Sequence, residues 1–129
     1  MSIEQIKLSQ TGKEQLVRLK RRTGLKNWNV LCRWAFCRSL EEKTIPSPVP
    51  IPADSSVEMD WKTFAGEHGA LYLALLRQRC AADGVNLEED ASELNKQFRL
   101  HLHRGIAYLV GDKSLQSIED LASCACPRS

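Results

Sequence analysis

Apolar and polar positions divide the 129-residue chain into a short apolar-dotted start, two closely spaced helical stretches, a proline run and a longer helical remainder. Ile3, Ile6 and Leu8 punctuate a polar run, a spacing that suits a strand or an extended N-terminal arm. Thr11-Gly12-Lys13-Glu14 has the form of a capping box, so a helix is predicted to begin there. It runs through Leu16, Val17 and Leu19 and stops at Gly24, the residue that tolerates the left-handed conformation after a helix end. Asn27 then caps a second helix reaching about Glu42.

In that second helix only Asn29, Arg33, Arg38 and Ser39 interrupt the apolar residues between Trp28 and Leu40. A helix apolar on nearly all sides must be covered nearly all round, and a chain this short offers few neighbours. The pattern therefore predicts a homo-oligomer built on this helix, with Trp28, Leu31, Trp34 and Phe36 as interface residues. The alternative is a central core helix of a monomer. Trp28 and Trp34, six positions apart, cannot share one face.

Thr44 to Ser56 carries Pro46, Pro48, Pro50 and Pro52 at every second position. Each proline lacks an amide hydrogen and holds its predecessor extended, so neither a helix nor a central strand can form. The stretch is predicted to be a stiff spacer between two helical parts, in preference to a ligand for a proline-binding module. Beyond it, one helix is expected from Asp60 to about Asp83, stopped by Gly84, and another from Asn86 or Leu87 to Val110, stopped by Gly111. Ser114 is expected to cap a short last helix through Leu121, with residues 123–129 fraying. The expected fold class is mainly α, as a single domain over 1–129: a basic part (1–43), the connector (44–56) and a helical part (57–129).

Composition changes this picture little. With 43% hydrophobic and 26% charged residues the chain is an ordinary globular one. Its longest apolar run, Ala70 to Leu76, is far short of the ~20 residues that cross a bilayer, so no membrane role is expected. The N-terminus has no apolar stretch of the secretory kind, and five cysteines in uneven positions argue for a reducing cytoplasm.

Charge changes it more. The net +2 hides ten Lys and Arg against four Glu in residues 1–43, or +6, and eight against twelve acids in residues 44–129, or −4. Such polarity would orient the molecule in the field of a polyanion. Lys20, Arg21 and Arg22 close the first helix, Lys26 follows the turn, and Lys7, Lys13 and Arg18 precede them. Cations in a last helical turn complement its dipole without any ligand. Here, however, they meet the free amides that begin the next helix, itself a favourable place for phosphate.

Other chemistry finds less support. His101 and His103 are two apart on a predicted helix and diverge, and His68 is alone. No CxxC or HExxH spacing occurs, so no metal or other cofactor is expected. Cys32, Cys37 and Cys80 read as small buried hydrophobes, while Cys124 and Cys126 fall in the tail. No nucleophile motif or phosphate-binding glycine loop is present, which leaves a binding role rather than a catalytic one.

The string KRRTGLKNWNVLCRWAFCRSL from Lys20 to Leu40, with the preceding IKLSQTGKEQLVRL, closely resembles the DNA sulfur modification family DndE. That resemblance implies a small accessory protein of bacterial DNA phosphorothioation, a helical homotetramer with affinity for double-stranded and notably nicked DNA. Its partners would be the enzymes of the same modification complex. Carried over residue by residue, the implied DNA contacts are Lys20, Arg21, Arg22 and Lys26, with Gly24 as the turn that juxtaposes them and Lys7 and Lys13 as weaker additions. Residues 1–42 also look like a ribbon-helix-helix module, in which strands of two chains pair and outward residues, here Gln5, Lys7 and Ser9, face DNA. Two rival readings are an adaptor whose basic face docks an acidic partner enzyme and a ribbon-helix-helix repressor with a preferred operator.

Overall fold

The computed structural model describes residues 3–88 and 92–112. Its elements run β1 (Gln5–Lys7), α1 (Gln10–Thr23), α2 (Trp28–Glu41), β2 (Glu58–Asp60), α3 (Trp61–Ala65), a 3-10 turn (Gly66–His68), α4 (Gly69–Ala82) and α5 (Glu93–Gly111). The mainly helical expectation holds. The helix expected after Ser114, the fraying end, Cys124 and Cys126 lie outside the described residues.

The first helix begins at Gln10, and Ser9, two residues before Thr11, is its cap: the Ser9 hydroxyl accepts from the Gly12 amide at 3.0 Å. Tertiary partners select the earlier serine. The Ser9 amide donates to Nε2 of His103 at 3.1 Å, and the Gln10 amide to the Asp54 carboxylate at 2.7 Å. Gly24 ends α1 as predicted, at φ 76°, with its amide on the Lys20 carbonyl. Asn27 precedes α2 as predicted, although its side chain makes no capping bond and its carbonyl instead takes the Val30 and Leu31 amides.

The N-terminal strand exists, but it pairs in cis. β1 is antiparallel to β2 with Ile6 opposite Met59, extended by Leu8 N–H to Val57 O and Trp61 N–H to Glu4 O. On the other edge, the Gln5 and Lys7 carbonyls accept from the side chains of Asn95 and Arg99 on α5. Both edges are thus taken within one chain. This corrects the expectation that β1 would pair with the strand of a second chain. Ser9 is buried as a helix cap, so it does not face outward with Gln5 and Lys7.

The single helix expected from Asp60 to Asp83 is broken. Gly66 at φ 59° turns the chain after five helical residues, and a new helix starts at Gly69. The stop at Gly84 holds, at φ 78°. The last described helix starts at Glu93, later than Asn86 or Leu87, because Asn86 turns its own side chain onto the Glu88 amide at 2.9 Å.

The core lies between α2 and α5, which run antiparallel: Ser39 lies beside His101, and Ala35 packs on Gly105. A side chain on Gly105 would overlap the Ala35 carbonyl, so the two backbones approach as closely as glycine allows. Phe36 stands at the centre of an aromatic cluster with Phe64, Tyr72 and Phe98, ring centroids 5.1–6.1 Å away. Leu31 and Phe36 have no accessible surface in the single chain. Of the four expected interface residues, these two are therefore internal, and only Trp28 and Trp34 keep surface. The neighbours that α2 lacked on paper are α5 and α3, brought round by the connector.

Candidate nucleic-acid interface

The antiparallel arrangement carries the C-terminus of α1, the N-terminus of α2 and the C-terminus of α5 to one pole of the molecule. The α1–α2 turn is short because Gly24 takes the left-handed conformation at once, and Leu25 to Asn27 suffice to reverse the chain. Lys20, Arg21 and Arg22 fill the last turn of α1, with Lys26 across the turn. Their fates differ. Arg21 and Lys26 are exposed and have no bonded protein partner among the described residues. Lys20 holds its ammonium 5.0 Å above the Trp28 ring, an interaction that keeps the charge and gives the indole a positive neighbour. Arg22 donates to the Val110 carbonyl at 2.7 Å, so it also closes the C-terminus of α5.

Lys13 lies on α1 seven residues before Lys20, and Lys7 is on β1, beyond the opposite end of that helix. At 1.5 Å per residue, Gln10 and Lys20 are about 15 Å apart along α1. The structure therefore brings together Lys20, Arg21, Arg22 and Lys26, but not Lys7.

Away from this pole, cations do internal work. Arg104 reaches Ser39 Oγ, Ser39 O and Thr44 O at 2.7–2.8 Å. Arg79 donates to Leu40 O and Thr44 O while pairing with Asp83 at 3.0 Å. Arg99 donates to the carbonyls of Lys7, Ile51 and Pro52 at 2.8–3.0 Å. Both ends of the proline segment are thereby strapped to α5 and α4, and Pro46 is buried. The stiff connector is thus also a strap, held at both ends by arginines.

Two histidines complete these straps. His103 accepts the Ser9 amide on one ring nitrogen and meets the Arg99 carbonyl with the other at 2.8 Å, an arrangement that needs the neutral ring; burial lowers its pKa. His101 is fully buried against Ser39 Oγ at 2.8 Å. Burial and the nearby Arg104 and Arg79 push its pKa down to about 4. Arg104 Nε donates to the same Ser39 oxygen at 2.8 Å, so the hydroxyl links the guanidinium to the imidazole. A serine and a histidine so deeply enclosed form a packing pair, without access for a substrate.

Cys32 and Cys80 are equally quiet. Burial pushes the thiol of Cys32 up to about 12 and that of Cys80 to about 11, so both stay protonated at neutral pH. Among the described residues, no group of three or more His, Cys, Asp or Glu is placed to hold a metal ion. No helix among them is long and apolar enough to cross a membrane.

The sequence model of the DNA sulphur modification protein DndE matches residues 5–117, most of the chain and both sides of this pole. The chain belongs to the DndE family. The crystal structure of DndE from Escherichia coli B7A, a protein involved in DNA phosphorothioation modification, is similar at 28% identity and a TM-score of 0.70, over 84% of this chain and 98% of that one. A glycine-to-lysine DndE mutant, also involved in DNA phosphorothioation, is similar at 26% identity and a TM-score of 0.63, over 84% and 100% of the two chains. No curated protein matches the chain. The family-like string from Lys20 to Leu40 falls on the end of α1, the Gly24 turn and α2, within the matched region.

Sequence reasoning missed the stripe Asn95, Arg99 and His103. These residues, four apart on α5, bind residues 5, 7 and 9 respectively. Their spacing was legible as one helical face, but nothing in the sequence said which segment that face meets.

Proposed function

We propose that this DndE-family protein is a non-catalytic DNA-binding accessory subunit of the DNA phosphorothioation system, gripping the phosphate backbone at the pole where α1 ends and α2 begins. The observation that carries this reading is the contrast in charge use: Arg21 and Lys26 stand exposed without protein partners while Arg79, Arg99 and Arg104 are engaged by backbone carbonyls. Backbone contact depends on charge and not on base identity, so binding is weakly sequence-dependent and steeply salt-dependent. Lys20 and Arg22 add charge while holding Trp28 and α5 in place. Gly24 sets the spacing between the two sides.

In this reading the protein acts in the cytoplasm as a homotetramer, nicked duplex is the preferred ligand, and the other sulfur-modification proteins are its partners. Trp28 and Trp34 are the two interface candidates that retain surface, and α4 adds Leu71, 56% exposed. The test is equilibrium binding to nicked, intact and single-stranded DNA at several salt concentrations, with light scattering on the same samples. Tighter binding to nicked duplex and a linear loss of log affinity with log salt are expected. A protein that binds none of them and instead captures the partner enzymes would be the adaptor. One preferred sequence selected from random duplexes would mark a repressor.

A further inference from the structure

A groove of about 620 Å3 lies at the other end of α1, between the proline strap, β1 and the first turns of α5. One wall is apolar, made by Val49, Pro50 and Ile51, with Val49 62% exposed. The other presents Lys7, Lys96 and Arg99, with Glu4 the only acid among the lining residues. Arg99 is the informative member. Its three bonds go to neutral carbonyls, no carboxylate pairs with it among the described residues, and two of its five N–H donors remain. A guanidinium does not lose its proton at neutral pH, so this half-buried cation keeps its full charge, with no paired counter-ion among the described residues. Exposed Lys7 and Lys96 add to the same field.

We propose that this groove takes a phosphodiester of a single nucleic-acid strand, the phosphate lying toward Arg99, Lys7 and Lys96 and the base against Pro50 and Ile51. A concave site of this size admits one unstacked nucleotide, whereas the convex backbone of a duplex meets the exposed pole described above. Single-strand binders combine a positively charged groove with a surface against which bases lie, most often aromatic and here supplied by Pro50 and Ile51. The groove rests on the reading of the protein as a DNA binder, yet it lies on the far side of α1 from Arg21 and Lys26 and can be disabled separately. It gives a separated strand its own seat while the duplex is held elsewhere.

The test uses the full-length protein with two probes, a fluorescent oligothymidylate and a nicked duplex, and two variants. Lys96→Glu places an acid at the groove without removing any described bond. It is expected to weaken oligothymidylate binding roughly tenfold and to change duplex binding less than about twofold. Arg21→Ala/Lys26→Ala is expected to do the reverse. No effect of Lys96→Glu on oligothymidylate, or equal losses on both probes, would overturn the groove assignment and leave the duplex reading standing. Displacement of oligothymidylate by an acidic peptide at equal charge concentration would also overturn it, in favour of a protein ligand. Loss of duplex binding in the wild type, with oligothymidylate still sensitive to Lys96→Glu, would retain the groove and sink the duplex reading.

Discussion

Arginine does two different jobs at two ends of this molecule. At the α1–α2 pole, Arg21 stands in solvent beside Lys26. Along the proline strap, Arg79, Arg99 and Arg104 bind carbonyls that prolines and helix ends leave without amide partners. Residue type and net charge are the same; the accepting group decides the role. A proline-rich segment makes no amide ladder of its own, so an arginine fork becomes the means of fixing it. Charge counting along the sequence therefore overstates the polyanion-binding surface. Cations with no structural acceptor, Arg21 and Lys26, mark the exposed pole proposed to meet the duplex.

The sharpest way to break the internal side of this contrast is at the helix contact that positions both regions. Gly105→Ala forces α2 from α5 against the Ala35 carbonyl and is expected to destabilise the protein by about 3 kcal/mol or more, read from the urea midpoint. A midpoint within error of wild type would mean that the two helices are not packed at this register.

The pH response comes next. Unfolded histidine takes its proton near pH 6.5, while buried His101 resists until about pH 4. Unfolding therefore takes up a proton between these values, and stability falls as pH falls through that window by about 3 kcal/mol. His103, also lowered, acts in the same direction. Urea melts at pH 7, 5.5 and 4 should show the decline, and His101→Gln should flatten it. A stability independent of pH over this range would show that His101 is not held neutral.

Smaller again is the loss of one strap. Arg104→Ala leaves Ser39 O without its strongest donor and weakens the hold on Thr44 O, for a loss of about 2 kcal/mol. DNA affinity per folded molecule should stay within about twofold of wild type, since the guanidinium is engaged by the Ser39 and Thr44 carbonyls. A large loss of affinity at unchanged stability would place Arg104 on the binding surface and dissolve the contrast.

Local signals in the sequence carried the elements they control. Gly24, Asn27, the alternating prolines and Gly84 mark their boundaries because backbone conformation at those points depends on one or two residues. What failed depended on distant partners. Thr11 lost the cap to Ser9 because His103 and Asp54 bind that earlier turn. The second helix looked uncovered because its cover, Phe98 and Gly105 on α5, lies more than sixty residues away in the chain. The basic cluster was legible as a run of charges, and Arg21 and Lys26 are the members that stand exposed. Arg22 could be recognised as a partner of Val110 only once α5 was in place.

The most direct measurement is the salt dependence of nicked-duplex binding by wild type and Arg21→Ala/Lys26→Ala. Both side chains are exposed, so the melting curve should be unchanged while the log-log slope becomes shallower by about 1.8, two phosphate contacts' worth. An unaltered slope and affinity in the folded double variant would contradict the assignment of this pole to DNA.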